Sequence, residues 1–243
     1  MRYVTLLHRL SEDRKLRRRL WWGAYAVTST AATVAGALGF RVAAGVTKPI
    51  PLALLGIRVV GSTEIGKADR LIVGGAVAAS AIGDLWMYRE EFAADDAEKD
   101  RNLRFGAATF GVAQAFYSAA MVRRGARFSV RALAPRVAVM GEPAAILAKF
   151  RPGVLPVLGP YGWALASMST LASTSGSDRL AAGGIVFQAS DLAIINRRHL
   201  LTADNARIAL ARKVVEAWVL GTYFTAQALL VDGLCERHDT DSA

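Results

Sequence analysis

Cysteine occurs once in the 243 residues, at Cys235, so neither an intrachain disulfide framework nor a thiolate metal cage is available. Histidine is almost as scarce, at His8, His199 and His238. All three fall outside the long apolar stretches, which removes a Ser/His nucleophile system and a histidine metal cage from those stretches. Phosphate-binding loops, zinc-finger spacings and aromatic–basic RNA motifs are missing as well. The Gly74-Gly75 pair follows no strand and precedes no Lys-Ser/Thr, so it reads as a helix-packing feature. A surplus of 30 Lys+Arg over 20 Asp+Glu therefore needs a partner other than nucleic acid. The lipid bilayer supplies it.

Charge is absent for long distances. No charged residue stands between Arg19 and Arg41, and none from Pro152 to Ser177. A hydrocarbon core about 30 Å thick is crossed by about 20 helical residues. Four more stretches carry one charge each: Leu71–Tyr88 with Asp84, Leu103–Val122 with Arg104, Leu180–Asn196 with Asp191, and Val214–Val231 with Glu216. A soluble helix would turn a polar face outward every three or four residues. These do not. Short charged connections such as Arg123-Arg124-Gly125-Ala126-Arg127 separate them.

Two weaker stretches complete the pattern. Val42–Ile57 contains Lys48, Pro49 and Pro51 and is expected to be a kinked or broken helix. Ala132–Phe150 contains Arg136, Glu142 and Pro143. The expected architecture is all-α: one bundle of eight transmembrane helices near 20–39, 42–58, 70–88, 103–122, 132–149, 153–173, 179–196 and 213–232. Residues 1–19 form a basic cytoplasmic or interfacial segment, 20–233 the membrane domain and 234–243 a polar tail. The N-terminal Lys/Arg cluster places the N-terminus in the cytoplasm of a cell-membrane protein, and an even number of crossings returns the C-terminus there. Glu90–Arg101, with mixed charges, reads as a solvated connector.

Ionisable groups within a bilayer are costly, by about 2.5–3.5 kcal/mol or more at mid-depth, and mark function. Asp84 and Asp191 are the two clearest. At about 1.5 Å per residue they lie roughly 21 Å and 18 Å along the third and seventh spans, which run in the same direction. They are expected at one level, where two carboxyls can share a site. A lone intramembrane Asp also serves to cap a kink or pair with an arginine. Gln114, Tyr117, Tyr223 and Gln227 fall in the same half of the bundle. Lys48 either joins them or snorkels to the headgroups. Glu142 either pairs with Arg136 or, with the two Asp residues, holds a divalent ion, although no cofactor is required. Glu216 reads as interfacial.

The ordered motifs Lys48-Pro49, Ser80-x-x-Gly83-Asp84-Leu85, Ser190-Asp191-Leu192 and Tyr223-x-x-x-Gln227 resemble those of the YhhN family of eight-span membrane proteins, over most of the chain. That family includes lysoplasmalogenases. The resemblance implies a lysophospholipid substrate whose vinyl ether is cleaved to a fatty aldehyde and a glycerophospho-alcohol. In that reading Asp84 and Asp191 are catalytic, while Lys48, Gln114, Tyr117, Ser190, Tyr223 and Gln227 contact substrate or water. One departure stands out: the family often has His three residues before the Tyr of span four, where this chain has Gln114, which cannot transfer a proton as His does. Protonating the alkene carbon needs an acid, and the resulting oxocarbenium ion needs a negative neighbour. Two carboxyls in a dry site supply both, as they do in glycosidases. The competing expectation is a proton-coupled transporter or lipid-binding protein, because buried acidic pairs serve those roles too.

Overall fold

A computed structural model describes residues 2–200 and 205–236, and the side chains of 15–194 and 205–236 within them. The side chains of His8, His199 and His238, those of the first basic residues and most of the polar tail lie outside this description. Among the described residues every regular element is helical. They are α1 (Arg2–Ala37), α2 (Arg41–Thr47), α3 (Pro49–Val60), α4 (Lys67–Glu91), α5 (Asp96–Arg123), α6 (Val130–Ala138), α7 (Gly141–Phe150), α8 (Leu155–Ser173), α9 (Asp178–Leu200) and α10 (Ala206–Cys235), with one 3₁₀ turn at Pro152–Val154.

Local chemistry sets the boundaries. Asp95 accepts from the Glu98 N–H at 2.8 Å, while Glu98 reaches back to the Ala94 N–H at 3.2 Å, so α5 starts with a reciprocal cap. Asn205 caps α10 through the Ile208 N–H at 3.0 Å. The second stretch breaks at Lys48, where Pro49 begins α3 in the first helical position that needs no N–H. The fifth stretch is two short helices that meet at Val139–Met140. The basic segment and the first apolar stretch form one continuous helix.

Four segments among the described residues are long and apolar enough to cross a membrane: Arg41–Val60, Lys67–Glu91, Asp96–Arg123 and Ala206–Cys235. The other expected crossings are diluted. Trp, Ser and Thr interrupt α1, Pro, Gly and Ser interrupt α8, Gln188 and Asp191 interrupt α9, and α6 and α7 are too short singly. Large apolar side chains such as Val60, Leu71 and Val42, each at least 75% exposed, cover the outer surface as lipid-facing residues would.

Pairwise contacts close a ring in the order α1, α3, α4, α5, α8, α9, α10, with α6 and α7 packed outside on α8 and α9. Tyr117, Phe187, Phe224, Leu52 and Met121 fill its interior. Glycines allow the close approaches. A Cβ on Gly83 would lie 2.8 Å from the Phe110 ring across the α4–α5 seam. One on Gly184 would lie 3.0 Å from the Ser169 backbone across the α8–α9 seam. Gly75 likewise makes room for Phe116, in keeping with a packing role.

One end of the ring is tied. Asp232 bridges Arg58 at 2.8 Å and Arg179 at 2.9 Å, and Arg179 also meets Glu236. Arg124 donates to the carbonyls of Gly233 at 2.8 Å, Leu234 and Glu236 at 3.1 Å, capping the orphan carbonyls of α10 with a cation at the negative end of the helix.

Candidate active site

The other end is hollow. A cavity of about 360 Å³ lies among α4, α5, α8, α9 and α10, with α6 and α7 along one side. Its wall is mainly aliphatic and aromatic, with Met87, Leu103, Phe110, Leu147, Leu158 and Phe224 as representatives. Polar groups are few, and five of them are carboxyls, from Asp84, Glu90, Glu91, Asp191 and Glu216. Asp84 is placed by α4 and Asp191 by α9, both on this one wall.

Their surroundings differ. Asp191 accepts a hydrogen bond from the Tyr161 hydroxyl of α8. Gln114 of α5 lies beside the same Tyr161 hydroxyl. Asp84 has the Tyr223 hydroxyl of α10 beside it, but neither that hydroxyl nor Asp84 Oδ2 has a hydrogen-bond partner of good geometry. Both atoms are buried and polar. Such orphans are rare away from functional sites.

Of the residues singled out from the sequence, Lys48, Asp84, Ser190, Asp191 and Tyr223 line the cavity, whereas Gln114, Tyr117 and Gln227 do not. Those three sit behind it, fully buried. Tyr117 donates to Gln227 Oε1 at 2.5 Å, and Gln227 Nε2 donates to Ser80 Oγ at 2.9 Å. This short chain backs Tyr223. Ser190 reaches the cavity, but its hydroxyl donates to the Val219 carbonyl at 2.9 Å and ties α9 to α10. Lys48 points inward, 8% exposed, and pairs with Glu91 at 3.0 Å.

Three expectations are corrected. Glu90 and Glu91 do not belong to a solvated connector: α4 extends to Glu91, and both side chains line the cavity. Glu216 is not at a helix end, because the Asn205 cap starts α10 three turns earlier, and the residue is 6% exposed on the cavity wall. Arg136 does not pair with Glu142, which is exposed; it donates to Ser169 Oγ at 2.9 Å. Among the described residues no group of three or more His, Cys, Asp or Glu is arranged to hold a metal ion. Tyr161 was missed because it is uncharged and lies in a charge-free stretch. Its one signal was a lone phenol among residues with no other polar group of that reach.

A helical ring with an apolar exterior, and a largely apolar cavity that takes in Asp84, Asp191 and three glutamates, is the architecture of a membrane protein with a buried acidic site. The chain belongs to the YhhN family, whose sequence model matches residues 43–234. No curated protein and no solved structure matches it.

Proposed function

We propose that the chain is a membrane-embedded hydrolase of the lysoplasmalogenase type, acting on a lysophospholipid with a vinyl ether. The observation that carries this reading is the pair Asp84 and Asp191 on one largely apolar cavity. The apolar wall suits a single alkenyl chain, and the pair suits acid–base work at its ether end. In this reading all eight stretches cross the cell membrane with both termini cytoplasmic. The ring supports it, because α1, α8 and α9 each pack directly on a segment that is itself long and apolar enough to span.

The chemistry divides between the carboxyls. Asp84, with its unpartnered oxygen, carries the proton and delivers it to the alkene carbon remote from oxygen. The electron pair of the double bond forms the new C–H bond, and an oxocarbenium ion results. Asp191, held by the Tyr161 hydroxyl, stays negative beside that cation and takes a proton from the water that adds to it. The hemiacetal then collapses: its O–H proton passes to Asp84 as the aldehyde carbonyl forms, the C–O bond to the glycerol breaks, and Asp191 gives its proton to the departing alkoxide, so one water is consumed and both carboxyls are restored. Lys48 meets the substrate phosphate by exchanging it for Glu91.

Purified protein given lysoplasmalogen should release fatty aldehyde, and the saturated alkyl-ether analogue should release none. Asp84→Asn and Asp191→Asn should each lower the rate by about 10²–10⁴-fold while the protein stays folded. Full activity in both variants would refute the assignment. Absence of turnover, with binding or uptake of the lipid retained, would favour a transporter or lipid-binding protein.

A further inference from the structure

A second pocket, of about 360 Å³, lies on the opposite side of the last turns of α4 from the acidic cavity. Arg41, Arg89 and Arg101 line it, from the start of α2, the end of α4 and the second turn of α5. These three positions are at the same end of the bundle. Glu98 is the one carboxylate in the lining, and it is occupied with the cap of α5. Its nearest approach to Arg101 is 3.8 Å. Among the described residues Arg41 and Arg89 have no carboxylate within ion-pair distance.

Aromatic rings hold these guanidinium groups in place. Arg89 stacks over Trp86 at 4.9 Å from the ring centroid and Arg41 over Phe92 at 5.7 Å. Trp86 is itself stacked on Phe105 at 4.8 Å. The Tyr88 hydroxyl donates to the Arg41 carbonyl at 3.2 Å, which fixes the start of α2 against α4. At the floor, Asn102 is 2% exposed, and its side-chain Nδ2 has no hydrogen-bond partner. A buried amide donor without an acceptor, in a pocket lined by three arginines, suits an oxygen-rich anion. Guanidinium forks match phosphate oxygens two at a time. Trp and Tyr at this end are the residues that sit at the headgroup level of a bilayer.

We propose that this pocket binds a phosphate group, as carried by the headgroup of an anionic phospholipid, outside the acidic cavity. Arg89 and Arg101 clasp the phosphate from α4 and α5, Arg41 closes over it from α2, and Asn102 donates from below. The site does not depend on the hydrolase reading, since none of its residues belongs to that machinery.

Native mass spectrometry of the full-length protein in dodecyl maltoside tests it, with dioleoylphosphatidylglycerol as probe. Wild type should retain one more lipid per chain than the Arg89→Gln/Arg101→Gln variant, whose apparent affinity for that lipid should fall at least about tenfold. All three arginines are exposed, so the variant should elute and melt as wild type does. Arg18→Gln/Arg19→Gln removes the same charge from α1, outside the pocket, and should retain the lipid. Equal retention by wild type and the pocket variant, or equal loss in both variants, would overturn the proposal. So would equal occupancy by dioleoylglycerol, which has the same tails and no phosphate. Inorganic phosphate provides the last arm. Displacement of the lipid by phosphate at comparable affinity identifies a soluble phosphate ligand, and failure to displace it identifies the lipid.

Discussion

Tyr161 shows how one uncharged side chain can define a site. Its hydroxyl is donated to Asp191, and its ring shares the cavity wall. A hydrogen bond to a charged acceptor is worth about 1.5–3 kcal/mol. Tyr161→Phe removes the bond and little volume. The rate of aldehyde release should therefore fall about 10–100-fold, while the unfolding temperature changes little; an unchanged rate would show that Asp191 needs no such support. Rescue is not expected from Tyr161→Trp, because the indole cannot place a hydroxyl there. Gln114 lies beside the same hydroxyl, and both polar atoms of its amide lack partners. Gln114, which stands where the resemblance places a frequent His, thus lies one residue removed from the cavity, beside Tyr161.

At the level of elements, the helices touch where glycine permits it. Gly184→Val would push a branched side chain against Ala172 Cβ, 2.8 Å from the added Cβ, and against the Ser169 backbone. The backbone cannot step aside, so a loss of about 1–3 kcal/mol is expected. It should be visible as a lower temperature at which heated, detergent-solubilised protein leaves its monodisperse peak. Gly56→Ala on α3 meets nothing within 4 Å and should be neutral or stabilising by about 0.5–1 kcal/mol in the same assay. The sequence made much of this layer readable. Charge-poor stretches marked where α4, α5, α8 and α10 run, and Pro49 marked the break after Lys48. Helix ends were harder to read, and they decided the errors. Asn205 sets the start of α10 and α4 runs on to Glu91, neither of which charge spacing shows, and on these two points the expectations for Glu216 and Glu91 fail. The acidic pair could be seen from its cost in lipid. Tyr161 could not, because a phenol carries no such penalty and announces nothing by spacing.

Across the whole molecule, the tied end depends on Asp232, 5% exposed between two arginines. Removing one member of a buried ion pair costs about 3–5 kcal/mol, but Arg58 and Arg179 remain 27% and 41% exposed, so water recovers part of it. Asp232→Asn should destabilise the protein by about 1–3 kcal/mol. Cys235, the lone thiol and fully buried beside this cluster, reports it directly. Maleimide labelling of native wild type should be slow and should speed up in Asp232→Asn; equal rates would mean that the cluster does not hold the end shut.

The same asymmetry governs how the molecule responds to heat. The void among α4, α8 and α9 leaves the side chains around it short of van der Waals neighbours. On warming, the segments bordering the void should loosen before the arginine-tied end does. If the proposed hydrolase reading holds, aldehyde release should then be lost while most of the helical signal survives. An alkyl chain lodged in the void supplies the missing neighbours and draws the two temperatures together.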